Sequence, residues 1–98
     1  MIHLIATIHI RPGTTDEVVR LATPCIDATR QEDGCLLYDL HQSLTEPSKL
    51  VFVEKWESRE ALERHFREPH LIAWRDAGAP FVTDKSIEII SGGEVERH

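Results

Sequence analysis

The sequence predicts an α+β domain with the split βαβ plan of ferredoxin-like proteins, in which helices cover one face of an antiparallel sheet. Some segments alternate apolar and polar residues, as strands do, and others repeat apolar residues at helical spacing. Along the chain these segments follow the order β-α-β-β-α-β. Breaks rich in glycine, proline and serine separate the segments. The 98 residues suit one domain, which we place at residues 1–91, followed by a polar C-terminal tail over 92–98.

The first half of the pattern contains a strand and a helix. Residues 2–10 alternate as a strand does, and apolar residues recur at helical spacing over 15–32. Thr14 and Glu17 predict a capping box at the start of the helix. Pro24 lies inside the helix, where it removes a hydrogen bond, so the segment is either one kinked helix or two shorter ones.

The second half begins with a predicted antiparallel hairpin of strands 35–43 and 49–57. Ser58 is a suitable N-cap for the next helix. Pro69 interrupts that helix and predicts the first turn of another, because proline is favoured at the first helical position. Residues 86–90 alternate as a fourth strand, which completes the predicted sheet.

Both faces of the first and third predicted strands carry apolar side chains. Helices cover one face only, and an apolar surface of that size is unusual on a monomer. The same face of a second copy, related by a two-fold axis, is the simplest cover. The pattern therefore predicts a homodimer.

Composition excludes several classes of function. The net charge of −6 argues against nucleic acid and anionic membranes as partners, and no apolar run approaches the roughly 20 residues that span a bilayer. The N-terminus has no basic start or cleavage site of a signal peptide, and two cysteines are too few for a disulfide scaffold, so we expect a cytoplasmic protein. No phosphate loop, dinucleotide fingerprint or nucleophile elbow is present, and we expect neither a cofactor nor a metal.

His65 and Glu54 are the candidate catalytic residues. His65 lies on the apolar stripe of its helix, either as a hydrogen-bonded core histidine or as a general base whose ordinary pKa is close to neutral pH. Glu54 lies on an otherwise apolar strand face, where a carboxylate is costly unless it is paired. We expect Glu54 to pair with His65 and fix its tautomer, or to make a structural hydrogen bond to the helix.

Four further side chains are candidates for substrate binding. Trp56 and Tyr38 lie on neighbouring strands and suit a flat aromatic molecule, although plain core packing explains them too. His70 and Trp74 lie on the helix that Pro69 begins. His70 follows His65 by five residues, roughly 140° apart in a continuous helix, so the two do not form a helical zinc pair.

One run of residues resembles a known family. It comprises Glu54-x-Trp56-Glu57-Ser58, Ala61-Leu62, His65 and Pro69-His70, with Arg11-Pro12-Gly13 after the first strand and Gly34-Cys35 and Tyr38 around the second. In order and spacing the run resembles the antibiotic biosynthesis monooxygenase family, especially its small quinol-monooxygenase-like members. The resemblance extends from Ile2 to about Ile90. It implies a dimeric α+β barrel with a small-molecule pocket in each subunit.

The resemblance also limits the number of activities that we expect. Family members include monooxygenases that oxidise quinols or aromatic polyketides without metal or flavin, and the superfamily includes haem-degrading enzymes and an isomerase of phosphorylated signalling sugars. The haem-degrading pattern is disfavoured, because the first strand has no asparagine and His65 stands where those enzymes have a tryptophan. The leading hypothesis is a cofactor-independent monooxygenase that acts on a quinol or small aromatic. An isomerase using the same pocket and a non-catalytic small-molecule-binding dimer are the alternatives.

Overall fold

A computed structural model describes all 98 residues and confirms the predicted fold class. Its strands and helices, in chain order, are β1 (Ile2–Ile10), α1 (Thr15–Thr29), β2 (Cys35–Gln42), β3 (Lys49–Trp56), α2 (Arg59–Phe66), α3 (Pro69–Gly78), β4 (Val82–Ser91) and β5 (Glu94–Arg97). The sheet order is β2-β3-β1-β4-β5, and every neighbouring pair is antiparallel. None of the three helices combines the length and apolar character needed to cross a membrane.

The hydrophobic core lies between the sheet and the helices. Alternate residues of β1 and β3 point into it, as the period of two requires. Leu4 pairs with Glu54 and Ile2 with Trp56 across the two strands. Leu62 and Trp74 from the helices are buried against this surface. The core therefore forms on the face that the hydrophobic alternation predicts.

The opposite face of the sheet has no helix over it. Ile5 of β1 and Val51 and Val53 of β3 lie on this face, which we call the open sheet face, and all three are only half-buried. Ile5 pairs with Val53, so these apolar side chains are neighbours at the centre of the sheet. This is the surface on which the sequence predicts a second copy.

The C-terminal residues form more regular structure than the expected polar tail. Strand β4 begins at Val82, four residues before the predicted start, and β5 pairs with it over Glu94–Arg97. Gly92 and Gly93 have φ angles of 56° and 87°, and this left-handed pair is typical of a tight hairpin turn. The guanidinium of Arg59 on α2 donates two hydrogen bonds to Glu96 and holds the added strand beside the helices.

The predicted capping box at the start of α1 is wrong. Thr14 makes no side-chain cap; its hydroxyl instead donates to the Arg11 carbonyl at 2.6 Å. Glu17 pairs with Arg20 one turn along the helix. The Thr14 hydroxyl is therefore engaged by the Arg11 carbonyl and does not cap the helix, because local side-chain-to-backbone hydrogen bonds compete with capping.

The end of α1 also differs from the prediction, with consequences for the site. The helix is continuous through Pro24 and ends at Thr29, three residues early. Residues 30–34 form a turn that ends at Gly34, whose φ of +86° suits glycine. A Cβ atom at Gly34 would lie 2.6 Å from the Cβ of Ala61, so the turn packs closely against α2.

Strand β2 contains a bulge that changes which side chains face the core. Cys35 pairs with Trp56 and Leu37 with Lys55, leaving Leu36 as the extra residue. Leu36 is therefore exposed, although strict alternation along the strand would place it on the same buried face as Tyr38.

Candidate functional site

A cavity of about 380 Å³ lies between the core face of the sheet and helices α2 and α3. Its volume is in the range of small-molecule sites. Leu4 and Phe52 contribute to its floor, Leu71 to its helical wall, and residues 82–87 of β4 to its rim. The lining is mostly apolar, with a few polar groups, as in sites that orient an organic ligand.

The structure brings four of the six sequence-predicted residues to this cavity. They are Tyr38, Glu54, His65 and Trp74. Trp56 and His70 do not line it: Trp56 lies fully buried behind His65, and His70 lies near the protein surface. These two side chains contact the site through other residues, as described below.

Helix α2 places His65 in the cavity wall. The Ser58 hydroxyl accepts a hydrogen bond from the Ala61 amide at 3.1 Å, which confirms the predicted N-cap and fixes the start of the helix. The His65 ring then lies 4.7 Å from the Trp56 ring and 5.4 Å from the Tyr38 ring, measured between centroids. The side chain is only 2% exposed. The imidazole is therefore held in one orientation by aromatic packing.

Glu54 makes neither of the two hydrogen bonds that the sequence led us to expect, to His65 or to the helix. Nδ1 of His65 lies 2.8 Å from Oε2 of Glu32, whereas Oε1 of Glu54 accepts a hydrogen bond from Nε1 of Trp56 at 2.9 Å. Glu54 and Trp56 are two residues apart on the same face of β3, so they are close neighbours. The turn that ends at Gly34 carries Glu32 against α2, and Glu32 is therefore the nearer carboxylate.

His70 shares the same carboxylate oxygen. Its Nε2 lies 2.7 Å from Oε2 of Glu32, and its Nδ1 lies 3.9 Å from the Glu68 carboxylate. Exposure rises outward through this group: the side chains of His65, Glu32 and His70 are 2%, 10% and 21% exposed. The three residues form a chain from the cavity wall to the surface, which we call the Glu32 trio.

The Glu32 trio is the one group in which three possible metal-ligand atoms come together. Two imidazole nitrogens on one Zn²⁺ lie about 3.3 Å apart, since each Zn–N bond is about 2.0–2.1 Å. The His65 and His70 ring centroids are 6.4 Å apart, which keeps the facing nitrogens separated by more than about 4 Å. As arranged, the trio has the geometry of two imidazoles hydrogen-bonded to one carboxylate, and a metal ion would require the rings to move together.

Burial lowers the pKa of His65, and the hydrogen bond to Glu32 only partly opposes this effect. His65 is therefore neutral at pH 7. Because the Glu32 carboxylate accepts from Nδ1, the proton lies on Nδ1 and Nε2 carries a lone pair. Every fully buried side-chain nitrogen and oxygen has a hydrogen-bond partner, so Nε2, which has none in the protein, keeps contact with the cavity.

Glu54 is the second titratable group of the cavity. Burial raises its pKa to about 7, while the hydrogen bond from Trp56 and the charge of Arg75 oppose the shift and the charge of Glu32 adds to it. Burial likewise raises the pKa of the Tyr38 phenol, which stays a neutral hydroxyl. At neutral pH the cavity therefore holds one free imidazole nitrogen and a carboxyl group that exists in both protonation states.

Sequence reasoning did not identify Glu32 as a site residue. The predicted helix extended to residue 32, and nothing in helical periodicity indicates an inward carboxylate at a helix end. The signal that was available is Gly34, because a glycine two residues later allows the tight turn that redirects the chain. The polar rim formed by β4 was also missed, since the sequence placed the start of that strand too late.

Comparisons with known proteins agree with this architecture. Residues 1–77 match the family described as antibiotic biosynthesis monooxygenase. An Escherichia coli K12 protein named "Probable quinol monooxygenase YgiN" is 30% identical in an alignment of 104 positions, which covers 95% of this chain and 99% of that protein. A Synechocystis protein, sll1783, is 33% identical over 63 residues, which cover 64% of this chain but only 43% of that longer relative.

Solved structures show the same fold. Rv0793 from Mycobacterium tuberculosis superposes with a TM-score of 0.84 at 31% identity, covering 92% of each chain. PA3566 from Pseudomonas aeruginosa gives 0.83 at 30% identity, covering 91% of this chain and 90% of that one. The family match, the relatives and the shared fold lead to one conclusion: the chain belongs to the antibiotic biosynthesis monooxygenase family.

Proposed function

We propose that the protein is a monooxygenase that oxidises a quinol or a related electron-rich phenol in the cavity, with His65 as the general base. One observation carries the proposal: His65, whose Nδ1 lies 2.8 Å from the Glu32 carboxylate, lines a mostly apolar cavity. The name of the E. coli relative, a quinol monooxygenase, supports the substrate class.

The chemistry begins with removal of a phenolic proton by Nε2 of His65. The resulting anion is electron-rich and supplies the electrons that reduce dioxygen, so the proposal needs neither metal nor flavin. For a hydroquinone, one oxygen atom of dioxygen forms a new bond to a ring carbon, and that carbon loses its hydrogen. The O–O bond then breaks, and the other oxygen leaves as water with two hydrogens of the substrate. Hydroquinone and dioxygen thus give hydroxyquinone and water, and His65 returns its proton to the departing oxygen.

The other cavity residues hold and orient the substrate in this proposal. Trp74 and Tyr38 present aromatic surface to the substrate. Glu54 faces the cavity and hydrogen-bonds a second substrate hydroxyl. Trp56 does not touch the substrate and instead orients two residues that do: its ring packs on His65, and its Nε1–H donates a hydrogen bond to Glu54.

We also propose that the active form is a homodimer joined through the open sheet face. Ile5, Val51 and Val53 place adjacent apolar side chains at the centre of that face. Covering them with the same face of a second copy removes this surface from water, and a two-fold axis makes the match self-complementary. The cavity lies on the other side of the sheet, so substrate reaches it in the dimer.

Oxygen uptake with a panel of hydroquinones and phenols tests the function. We expect the wild-type protein to consume dioxygen, and His65→Ala to lower kcat by about 10²-fold or more, the usual contribution of a general base. His41→Ala is the matched control, because His41 is an exposed histidine on β2 away from the cavity. A folded wild-type protein that binds these phenols without consuming dioxygen would overturn the proposal, as would full activity of His65→Ala.

An isomerase is the second candidate, and one observation favours it. The cavity contains a neutral base, His65, and a carboxyl group, Glu54, whose pKa of about 7 lets it return a proton. Removing a proton at one carbon and returning it at another isomerises a hydroxy-ketone without dioxygen. Turnover that is equal under air and under nitrogen would establish this alternative.

A further inference from the structure

His70 lies outside the cavity lining, so direct contact with substrate does not explain its position. Its Nε2 instead lies 2.7 Å from the carboxylate oxygen that also binds His65. We propose that His70 is a positioning residue: its Nε2–H holds the Glu32 carboxylate in place, and Glu32 in turn fixes His65 with its proton on Nδ1 and Nε2 free. This role rests on the function proposed for His65, and the geometry behind it is independent of any substrate.

The first argument is the number of donors available to Glu32. The Glu32 side chain is only 10% exposed, and a carboxylate removed from water requires hydrogen-bond donors. Its two side-chain partners are the imidazoles of His65 and His70, and both bind Oε2. Each ring therefore donates one N–H, because the shared oxygen accepts both bonds. Removing His70 leaves His65 as the only side-chain donor to a nearly buried carboxylate.

The second argument is the tautomer of His65. A neutral imidazole has one N–H, and the hydrogen bond to the other nitrogen decides where that proton lies. A carboxylate fixed beside Nδ1 keeps the proton there. A carboxylate free to rotate away lets His65 place its proton on Nε2, and that form cannot act as a base toward the cavity. His70 thus acts on the base through the position of Glu32.

The third argument is how the backbone fixes His70. Pro69 begins α3 at the first helical position, where its ring restricts the backbone. His70 follows in the first turn of the helix, next to the turn that ends at Gly34. The nearest other carboxylate, that of Glu68, lies 3.9 Å from Nδ1, beyond hydrogen-bond distance. The 2.7 Å contact with Glu32 is therefore the one firm hydrogen bond that orients the His70 ring.

The variants His70→Gln and His70→Asn distinguish the loss of the N–H donor from the loss of the histidine ring itself. The amide nitrogen of glutamine occupies nearly the position of a histidine Nε2, so His70→Gln keeps an N–H within reach of Glu32. The amide of asparagine ends one bond earlier, so His70→Asn keeps a polar side chain but removes the contact. His70→Leu is a second variant without a donor, in case His70→Asn folds poorly. His41→Asn controls for loss of a histidine elsewhere.

The first readout needs no substrate. Nitrogen NMR of the His65 ring shows which nitrogen carries the proton. We expect one tautomer, protonated on Nδ1, in the wild type and His70→Gln, and a mixture of both tautomers in His70→Asn and His70→Leu. Glu32→Ala removes the intermediary, so adding His70→Asn to it should cause no further change, as a double-mutant cycle requires. An unchanged single tautomer in His70→Asn and His70→Leu would overturn the proposal.

The second readout is steady-state kinetics. His70→Asn should lower kcat by about 10-fold to 100-fold, as loss of an orienting group does, with KM nearly unchanged because His70 does not touch substrate. His70→Gln should restore kcat to near the wild-type value. A folded His70→Gln that is as slow as His70→Asn contradicts the proposal. If the wild type has no activity while the tautomers change as expected, the proposed oxidation fails and the role of His70 stands.

Discussion

Replacing Gly34 with alanine tests how the turn after α1 builds the site. Gly34 has a φ of +86°, which costs an L-residue about 1–2 kcal/mol. The new Cβ would also lie 2.6 Å from the Cβ of Ala61, whereas carbon atoms in contact are about 3.5–4.0 Å apart. The turn and α2 must separate by about 1 Å, and overpacking of this kind costs about 1–3 kcal/mol. We therefore expect Gly34→Ala to lower the free energy of unfolding by about 2–5 kcal/mol in total.

Gly13 provides the matched control. Its φ is +80°, but a Cβ atom there has no other atom within 4 Å. Gly13→Ala should therefore cost only the backbone part, about 1–2 kcal/mol. Urea unfolding of both variants, at the same pH and protein concentration, measures the difference between them. If the two variants are destabilised equally, the close packing of the turn against α2 is not a constraint and the reasoning fails.

The same substitution has a second expected effect on the site. Moving the turn by about 1 Å lengthens the 2.8 Å hydrogen bond between Glu32 and His65 beyond a good hydrogen-bond distance. Folded Gly34→Ala should therefore lose the single tautomer of His65, which nitrogen NMR detects. Folded Gly13→Ala should keep it, because Gly13 lies before α1 and has no such contact.

Three further predictions concern charge and assembly. Burial raises the pKa of Glu54 to about 7 from the ordinary 4.5, so the folded state holds this proton more tightly than the unfolded chain. The stability that it contributes is full below about pH 4.5 and is lost as the pH rises through 7. Glu54→Gln should abolish the resulting loss, about 2.5 kcal/mol when unfolding is compared at pH 5 and pH 8. Arg75→Gln should raise the pKa of both His65 and Glu54, since the Arg75 charge lowers each of them, and NMR titrations in which either value falls would contradict this. Val53→Glu on the open sheet face should convert the proposed dimer to monomers in sedimentation experiments, whereas Leu44→Glu, at an almost fully exposed loop position, should not. A dimeric Val53→Glu variant would refute the proposed interface.

The fold was accessible from the sequence because burial follows local periodicity. Alternation in β1 and β3 places Leu4 and Phe52 on the buried face, and the structure confirms this pattern. Ser58 and Pro69 identify two helix starts, because the chemistry of a cap and the restricted φ of proline act within a few residues. Such features depend on neighbouring residues only, so a single sequence is enough to recognise them.

The site was accessible only in part, because the choice of side-chain hydrogen-bond partners depends on three-dimensional packing that periodicity does not describe. Periodicity correctly placed Glu54 and His65 on inward faces, and both line the cavity. It could not show that Trp56 takes the Glu54 carboxylate, nor that Glu32 reaches across 33 residues to His65. That second contact depends on how closely Gly34 approaches Ala61, a distance set by tertiary packing. The missed contact of Glu32 therefore came from the turn, whereas the missed bond between Trp56 and Glu54 lies within β3.

A pH titration of the His65 ring by nitrogen NMR is the most direct test of the account. We predict a pKa below the ordinary 6.5, a neutral ring at pH 7, and the remaining proton on Nδ1, facing Glu32. Glu32→Gln should lower the pKa further, because the carboxylate favours the charged ring. A charged His65 at pH 7, or a neutral ring with its proton on Nε2, would contradict the claim that this histidine offers a free nitrogen to the cavity.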